Sequence, residues 1–156
     1  HLKAFAYRIV KAQRAYHAFD GEGARLAGGR WNSEGTPIVY AACSRALAGL
    51  EMLVHLQSAL LKMSYVVIET QFDSKLVQRI CIEDLPTDWR NDQPILANKL
   101  IGDQWVKEAA SAVLAVPSAI VPEELNYLIN PRHPDFKKIK IGEPENFSFD
   151  ARLIKD

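Results

Sequence analysis

Residues 4–10 (AFAYRIV) combine aromatic and β-branched side chains in the two-residue period of a strand, with Tyr7 and Ile9 on the face opposite Arg8. A guanidinium in such a strand either lies in solvent at a sheet edge or points into a cleft, and the pattern leaves both readings open. Residues 37–43 predict a second strand, and Ser44 is a good N-cap for a helix running to about Met63. That helix is apolar nearly all round, which predicts burial of most of its surface. It carries a single acid, Glu51, with His55 one turn further along the same face. Residues 64–72 (SYVVIETQF) are the clearest strand, and 82–94 form an acidic, proline-bearing surface connection. A helical pattern over 98–111 leads to a strand at 112–116. The chain then becomes polar and proline-punctuated, and 126–131 (NYLINP) reads as a loop with apolar anchors. Alternating lysines and isoleucines within 135–141 predict an edge-like strand, and 147–153 a terminal strand or tail.

Residues 11–29 hold two glycine pairs, Gly21-Glu22-Gly23 and Gly28-Gly29, among the basic side chains Lys11, Arg14 and Arg25, as in a loop that wraps something. Leu26 stands where the dinucleotide fingerprint requires its third glycine, and no GxxxxGK[ST] occurs, so neither phosphate cradle is present. With 156 residues, 48% of them hydrophobic and 24% charged, and without repeat or linker, the chain is expected to form one domain over 1–156. Nineteen basic and nineteen acidic side chains cancel, so an anion site must come from local geometry, and direct nucleic-acid binding loses weight. Cys43 and Cys81 lack a CxxC or metal-ligand spacing and read as buried thiols of a reducing compartment. The first residues lack a signal-peptide pattern, and no apolar run approaches the roughly 20 residues needed to cross a bilayer. The expectation is a soluble, cytoplasmic protein that does not contact membranes.

Three polar side chains are costly to bury and useful in a cleft. Arg30 follows two glycines, which permit positive φ and close approach of a ligand, and its fork suits phosphate or carboxylate; a surface arginine in a turn is the competing reading. Tyr40 ends the second strand, either as core or as a plane on which a ring stacks. Glu51 sits among aliphatic neighbours with no other acid between Tyr40 and Ile68. A buried carboxylate needs a partner, so Glu51 is either half of a salt bridge to Arg30 or Arg8 or a cleft carboxylate that meets substrate; its isolation favours the second. Ser118 follows Pro117 and either donates to a ligand or caps a turn; no GxSxG elbow marks it as a nucleophile.

Tyr7-Arg8-Ile9, Gly28-Gly29-Arg30-Trp31-Asn32, Tyr40-Ala41, residues 50–56 (LEMLVHL), residues 116–120 (VPSAI) and residues 126–134 (NYLINPRHP) together resemble the RES domain, the toxin of RES–Xre toxin–antitoxin pairs. Arg30, Glu51 and Ser118 fall on its three name-giving positions. The resemblance implies an α+β fold like that of the ADP-ribosyltransferases, a split mixed sheet with flanking helices, and NAD+ as substrate with no further cofactor and no metal. In that site Glu51 would stabilise the oxocarbenium-like transition state of nicotinamide–ribose cleavage. Arg30 would grip the pyrophosphate or hold Glu51, Tyr40 would stack on nicotinamide or orient the ribose, Ser118 and Asn126 would fix polar edges, and Arg8 would add a phosphate contact. The implied activity is NAD+ breakdown by hydrolysis or phosphorolysis. Mono-ADP-ribosylation of a protein is the alternative, disfavoured by the lack of a second acid within two residues of Glu51, and a non-catalytic binding module is a third. The implied partner is an Xre-like helix-turn-helix antitoxin that would carry the DNA contact, with self-association left open.

Overall fold

The computed structural model describes residues 2–154. Its strands are β1 (Lys3–Lys11), β2 (Val39–Ala42), β3 (Tyr65–Asp73), β4 (Val77–Arg79), β5 (Val113–Pro117), β6 (Leu125–Ile129), β7 (Lys140–Ile141) and β8 (Glu145–Phe147), and its α-helices are α1 (Glu22–Ala27), α2 (Arg45–Leu53) and α3 (Leu96–Glu108). The strands form one mixed sheet in the order β4-β5-β6-β2-β1-β3-β7, with β8 also on β3. Only β4 and β5 run parallel; the other pairs are antiparallel. This is the mixed-sheet α+β architecture that the family resemblance implies.

The sheet is nearly parted at its centre. β1 pairs with β3 along its whole length, from Lys3↔Asp73 to Lys11↔Tyr65, whereas a single register pair, Tyr7↔Ala42, joins it to β2. Across the parting, Arg8 Nη1 donates to the Tyr40 carbonyl at 2.9 Å and its Nε to the Ala18 carbonyl at 2.7 Å. Side-chain alternation then sorts the two faces. Tyr7, Ile9 and Ala42 lie with Leu47 and Ala48 of α2, while Ala6, Val39 and Ala41 lie on the opposite face with Phe72 and Ile129. A third cluster, around Trp31, Ile38, Trp105, Leu114 and Leu128, fixes α3 against β5 and β6. Each fully buried side chain of this size contributes about 1.5–3 kcal/mol.

Several expectations are corrected. The helix beginning at Ser44 is capped as expected, Ser44 Oγ accepting from the Leu47 N–H at 3.0 Å, but it ends at Leu53. A separate 3-10 turn at Ser58–Lys62 brings Leu61 back onto the same apolar cluster that α2 serves. An all-round apolar pattern is thus satisfied by folding the segment in two rather than by burying one long helix, and Leu50 and Val54 stay exposed at 42% and 59%. His55, beyond the helix end, is exposed as well. The expected loop at 126–131 is largely β6, an inner strand between β5 and β2, since Leu128 and Ile129 alternate between two buried clusters. The wrapping segment contains α1 and a 3-10 turn at Ala12–His17. Within 135–141 only β7 is extended, preceded by a 3-10 turn at Pro134–Lys138 that His133 caps. Cys81 is exposed and Cys43 half-buried, both free, so the expectation of two buried thiols fails. No helix among the described residues is long and apolar enough to cross a membrane.

Candidate functional site

Residues 28–32 form a tight turn after α1. Gly28 takes φ +73°, a conformation open to glycine at little cost. The Gly29 N–H donates to the Asn32 carbonyl at 3.0 Å. A Cβ at Gly29 would stand 2.8 Å from the Tyr40 hydroxyl and 2.9 Å from Asn32 Oδ1, so only glycine lets the turn close on the tyrosine. Asn32 has no exposed surface. Its Nδ2 donates to the carbonyls of Ala24 at 2.8 Å and Thr36 at 3.0 Å, and its Oδ1 accepts from the Tyr40 hydroxyl at 2.6 Å. The Trp31 N–H donates to the same hydroxyl at 3.0 Å. Burial raises the Tyr40 pKa far above that of a free phenol. Tyr40 therefore pins the arginine turn to β2, and its hydroxyl is already engaged as donor and as acceptor. From below, α3 approaches so closely that a Cβ at Gly102 would collide with the Trp31 carbonyl.

The turn presents Arg30, half-buried, with its Nη1 donating to the carbonyls of Trp89 at 3.0 Å and Asn91 at 2.9 Å. Burial lowers its pKa, opposed first by the charge of Glu51 and then by that of Asp92. Arg30 and Glu51 thus feel one another without forming a direct ion pair within 4 Å among the described residues. Glu51 lies in the last turn of α2, half-buried. Its Oε1 accepts from Ser118 Oγ at 2.8 Å.

Ser118 leaves the end of β5 with no exposed surface. Its Oγ accepts from the N–H groups of Ile120 and Val121, each at 3.1 Å. A hydroxyl has one proton and two lone pairs. With both lone pairs taken by backbone donors, the proton is directed at Glu51, which fixes the carboxylate and leaves Oε2 without a partner among the described residues. Ser118 thus orients the Glu51 carboxylate.

The structure thus brings Arg30, Tyr40, Glu51 and Ser118 together. Asn126 joins them on the same sheet face, opposite Ala42 on β2 and Val116 on β5. Arg8 does not join them. It shares strand parity with Ala6 and Val10, on the face turned away from α2, and two of its nitrogens serve backbone carbonyls. Its guanidinium, with pKa lowered to about 10 by burial, closes the sheet parting behind Tyr40. A groove of about 620 Å³ lined by Ile80, Leu100, Ile101 and Trp105 shares no residue with the site.

Sequence reasoning passed over Asn32, Trp89 and Asn98. Asn32 lies inside the Gly28–Asn32 motif, and an asparagine three residues after a glycine pair is the available signal. Residues 89–91 fell within a stretch assigned to a bare surface connection. Asn98, fully buried, donates from Nδ2 to the Trp89 carbonyl at 2.9 Å, and nothing in its helical surroundings announces that.

The fold and this arginine, glutamate and serine arrangement correspond to one domain class: the RES domain profile matches residues 5–150, and the chain belongs to that family. The chain is 41% identical over 154 residues to a "Prs ADP-ribosylating toxin" of a Sphingobium species, covering 96% of each chain. It is 37% identical over 150 residues to a "Toxin Res" of Photorhabdus laumondii, again covering 96% of each. In three dimensions it is similar to a chain of the M. tuberculosis MbcT-MbcA toxin-antitoxin complex, with TM-score 0.78 and 18% identity over 94% of this chain and 85% of that one, a likeness of fold.

Proposed function

We propose that the chain is the toxin of a toxin–antitoxin pair and acts on NAD+ by cleaving the nicotinamide–ribose bond. The observation that carries this reading is the lone carboxylate of Glu51, held through one oxygen by a Ser118 hydroxyl with no other direction to point. Relatives named as toxins at 37–41% identity over 96% of the chain support the toxin role. As the bond from ribose C1′ to the pyridinium nitrogen breaks, its electron pair leaves on nicotinamide, which departs neutral and needs no general acid. Positive charge builds on the sugar, and a pre-oriented carboxylate stabilises it. Arg30 would hold the adjoining diphosphate. Attack on C1′ by water, with a proton released, gives ADP-ribose; attack by phosphate gives the 1″-phosphorylated product. Either drains the NAD+ pool.

Transfer of ADP-ribose to a protein is a second reading, favoured by the name of the Sphingobium relative. It shares the cleavage step and differs in the acceptor. The toxin role also implies an antitoxin, proposed as an Xre-like helix-turn-helix protein, with both working in the cytoplasm; the structural neighbour's toxin-antitoxin complex supports a partner of that general kind. Purified protein incubated with NAD+, with and without phosphate, and followed by NMR tests the proposal. Free nicotinamide with a matching amount of ADP-ribose or its phosphate supports breakdown. Nicotinamide release that depends on an added protein, which becomes labelled, supports transfer, and NAD+ intact in every tube refutes both.

A further inference from the structure

The cleavage reading leaves residues 89–91 without a part, although they touch both sides of the site. Arg30 Nη1 donates to the carbonyls of Trp89 and Asn91, and from the residue between them Arg90 Nε donates to the Ala119 carbonyl at 2.9 Å. Ala119 is the neighbour of Ser118, which orients Glu51. This short turn therefore spans from the arginine turn to the serine turn. It is firmly seated: Trp89 is 5% exposed, lies 6.4 Å from Trp31 ring to ring, and has its carbonyl held by Asn98 as well.

The anchorage by Nε leaves the two terminal nitrogens of Arg90 without hydrogen-bond partners among the described residues, on an exposed residue at the rim of the site. Arg30, for its part, has Nη1 committed to two carbonyls. Neither arginine forms an ion pair within 4 Å among the described residues. They are near enough for Arg90 to oppose the charge on Arg30, while Glu51 and Asp92 favour it. Two guanidiniums anchored at one turn repel one another until an anion lies between them, and guanidinium forks match phosphate oxygens well. A dinucleotide supplies two adjacent phosphates next to the ribose that Glu51 would face.

Resting on the NAD+ reading, we propose that Arg90 is a substrate-contacting residue that, together with Arg30, grips the diphosphate of the dinucleotide.

The test uses the full chain and its Arg90→Gln and Arg90→Lys variants. ADP-ribose binding is measured by calorimetry at two salt concentrations, and NAD+ cleavage by nicotinamide release. The expected result is an ADP-ribose Kd weakened about tenfold in Arg90→Gln with a shallower salt dependence, a matching rise in KM with kcat within about twofold, and substantial recovery in Arg90→Lys, which keeps the charge but loses the Nε bond. A staple acting only through Ala119 would instead leave Kd unchanged and lower the melting temperature equally in both variants. Arg90→Gln binding ADP-ribose within twofold of wild type, while the wild type still releases nicotinamide, overturns the assignment of Arg90 alone. A wild type that neither binds ADP-ribose nor cleaves NAD+ overturns the NAD+ reading and this assignment together.

Discussion

Glu51→Gln separates a catalytic carboxylate from a structural one. Glutamine keeps the shape and still offers a carbonyl oxygen where Ser118 Oγ donates at 2.8 Å, so the buried serine stays satisfied. What changes in stability is a hydrogen bond to a charged acceptor becoming one to a neutral acceptor, a loss of about 1 kcal/mol. The attraction to Arg30, between two half-buried groups not in direct contact, adds at most about 1 kcal/mol. At about 2–4 °C per kcal/mol for a chain of this size, the melting temperature should fall by about 2–8 °C. Removing the group that faces developing positive charge, by analogy with loss of one oxyanion-hole donor, costs about 2.7–4 kcal/mol of transition-state stabilisation, or about 10²–10³ in kcat. Thermal unfolding and nicotinamide release on the same preparation measure both. A variant that cleaves NAD+ at the wild-type rate refutes the role given to Glu51, and one that melts more than about 15 °C lower refutes the claim that the carboxylate is there chiefly for chemistry.

Ser118→Ala removes that donor and also strands the Ile120 and Val121 N–H groups, so it should destabilise by about 2–4 kcal/mol, more than Glu51→Gln, in addition to slowing cleavage, as read by the same two assays. Arg8→Met should lower the unfolding midpoint in denaturant while leaving KM for NAD+ within about twofold, because the guanidinium joins Ala18 to Tyr40 on the face away from the site; a KM increase of tenfold or more would restore Arg8 to the ligand. Tyr40 has a folded-state pKa raised by burial, so its contribution is complete below the unfolded phenol value of about 10 and is lost as pH rises above it. Melting curves from pH 9 to 11 should therefore fall less steeply for Tyr40→Phe than for wild type, and parallel curves would contradict the buried hydroxyl.

Much of the fold was legible because its strands carry strong local signals. β1, β3 and β5 fall within a residue or so of the β-branched runs that predict them, and Ser44 caps α2 where its chemistry says it should. The failures share a cause, which is that tertiary partners decide what a short apolar segment becomes. β6 has an asparagine and is followed by Asn130-Pro131, both loop signals, yet it is an inner strand because β2 and β5 pair with it on both sides. The length of the α2 segment failed for a related reason: periodicity counts apolar positions but does not say whether one straight helix or two short ones will cover the core. Leu61 reaches the α2 cluster only because the chain folds back after Leu53.

The site exposes a finer limit. That a glutamate among leucines or an arginine between aromatic and aliphatic neighbours must be satisfied follows from the cost of burying charge. What satisfies it does not follow, since backbone carbonyls and N–H groups carry no sequence signature. Arg8 and Glu51 made similar demands on paper. Arg8 meets its demand with the carbonyls of Ala18 and Tyr40 at the point where the sheet parts, and so becomes part of the frame. Among the described residues Glu51 is met on one oxygen only, by a serine itself fixed by two backbone donors, and that asymmetry leaves the other carboxylate oxygen oriented and unpartnered there. On the proposed reading, a structural charge differs from a chemical one in its unused hydrogen-bonding capacity, and the same criterion applied to Arg90, with Nε engaged and both terminal nitrogens without partners among the described residues, proposes for the site a residue that no spacing pattern singled out.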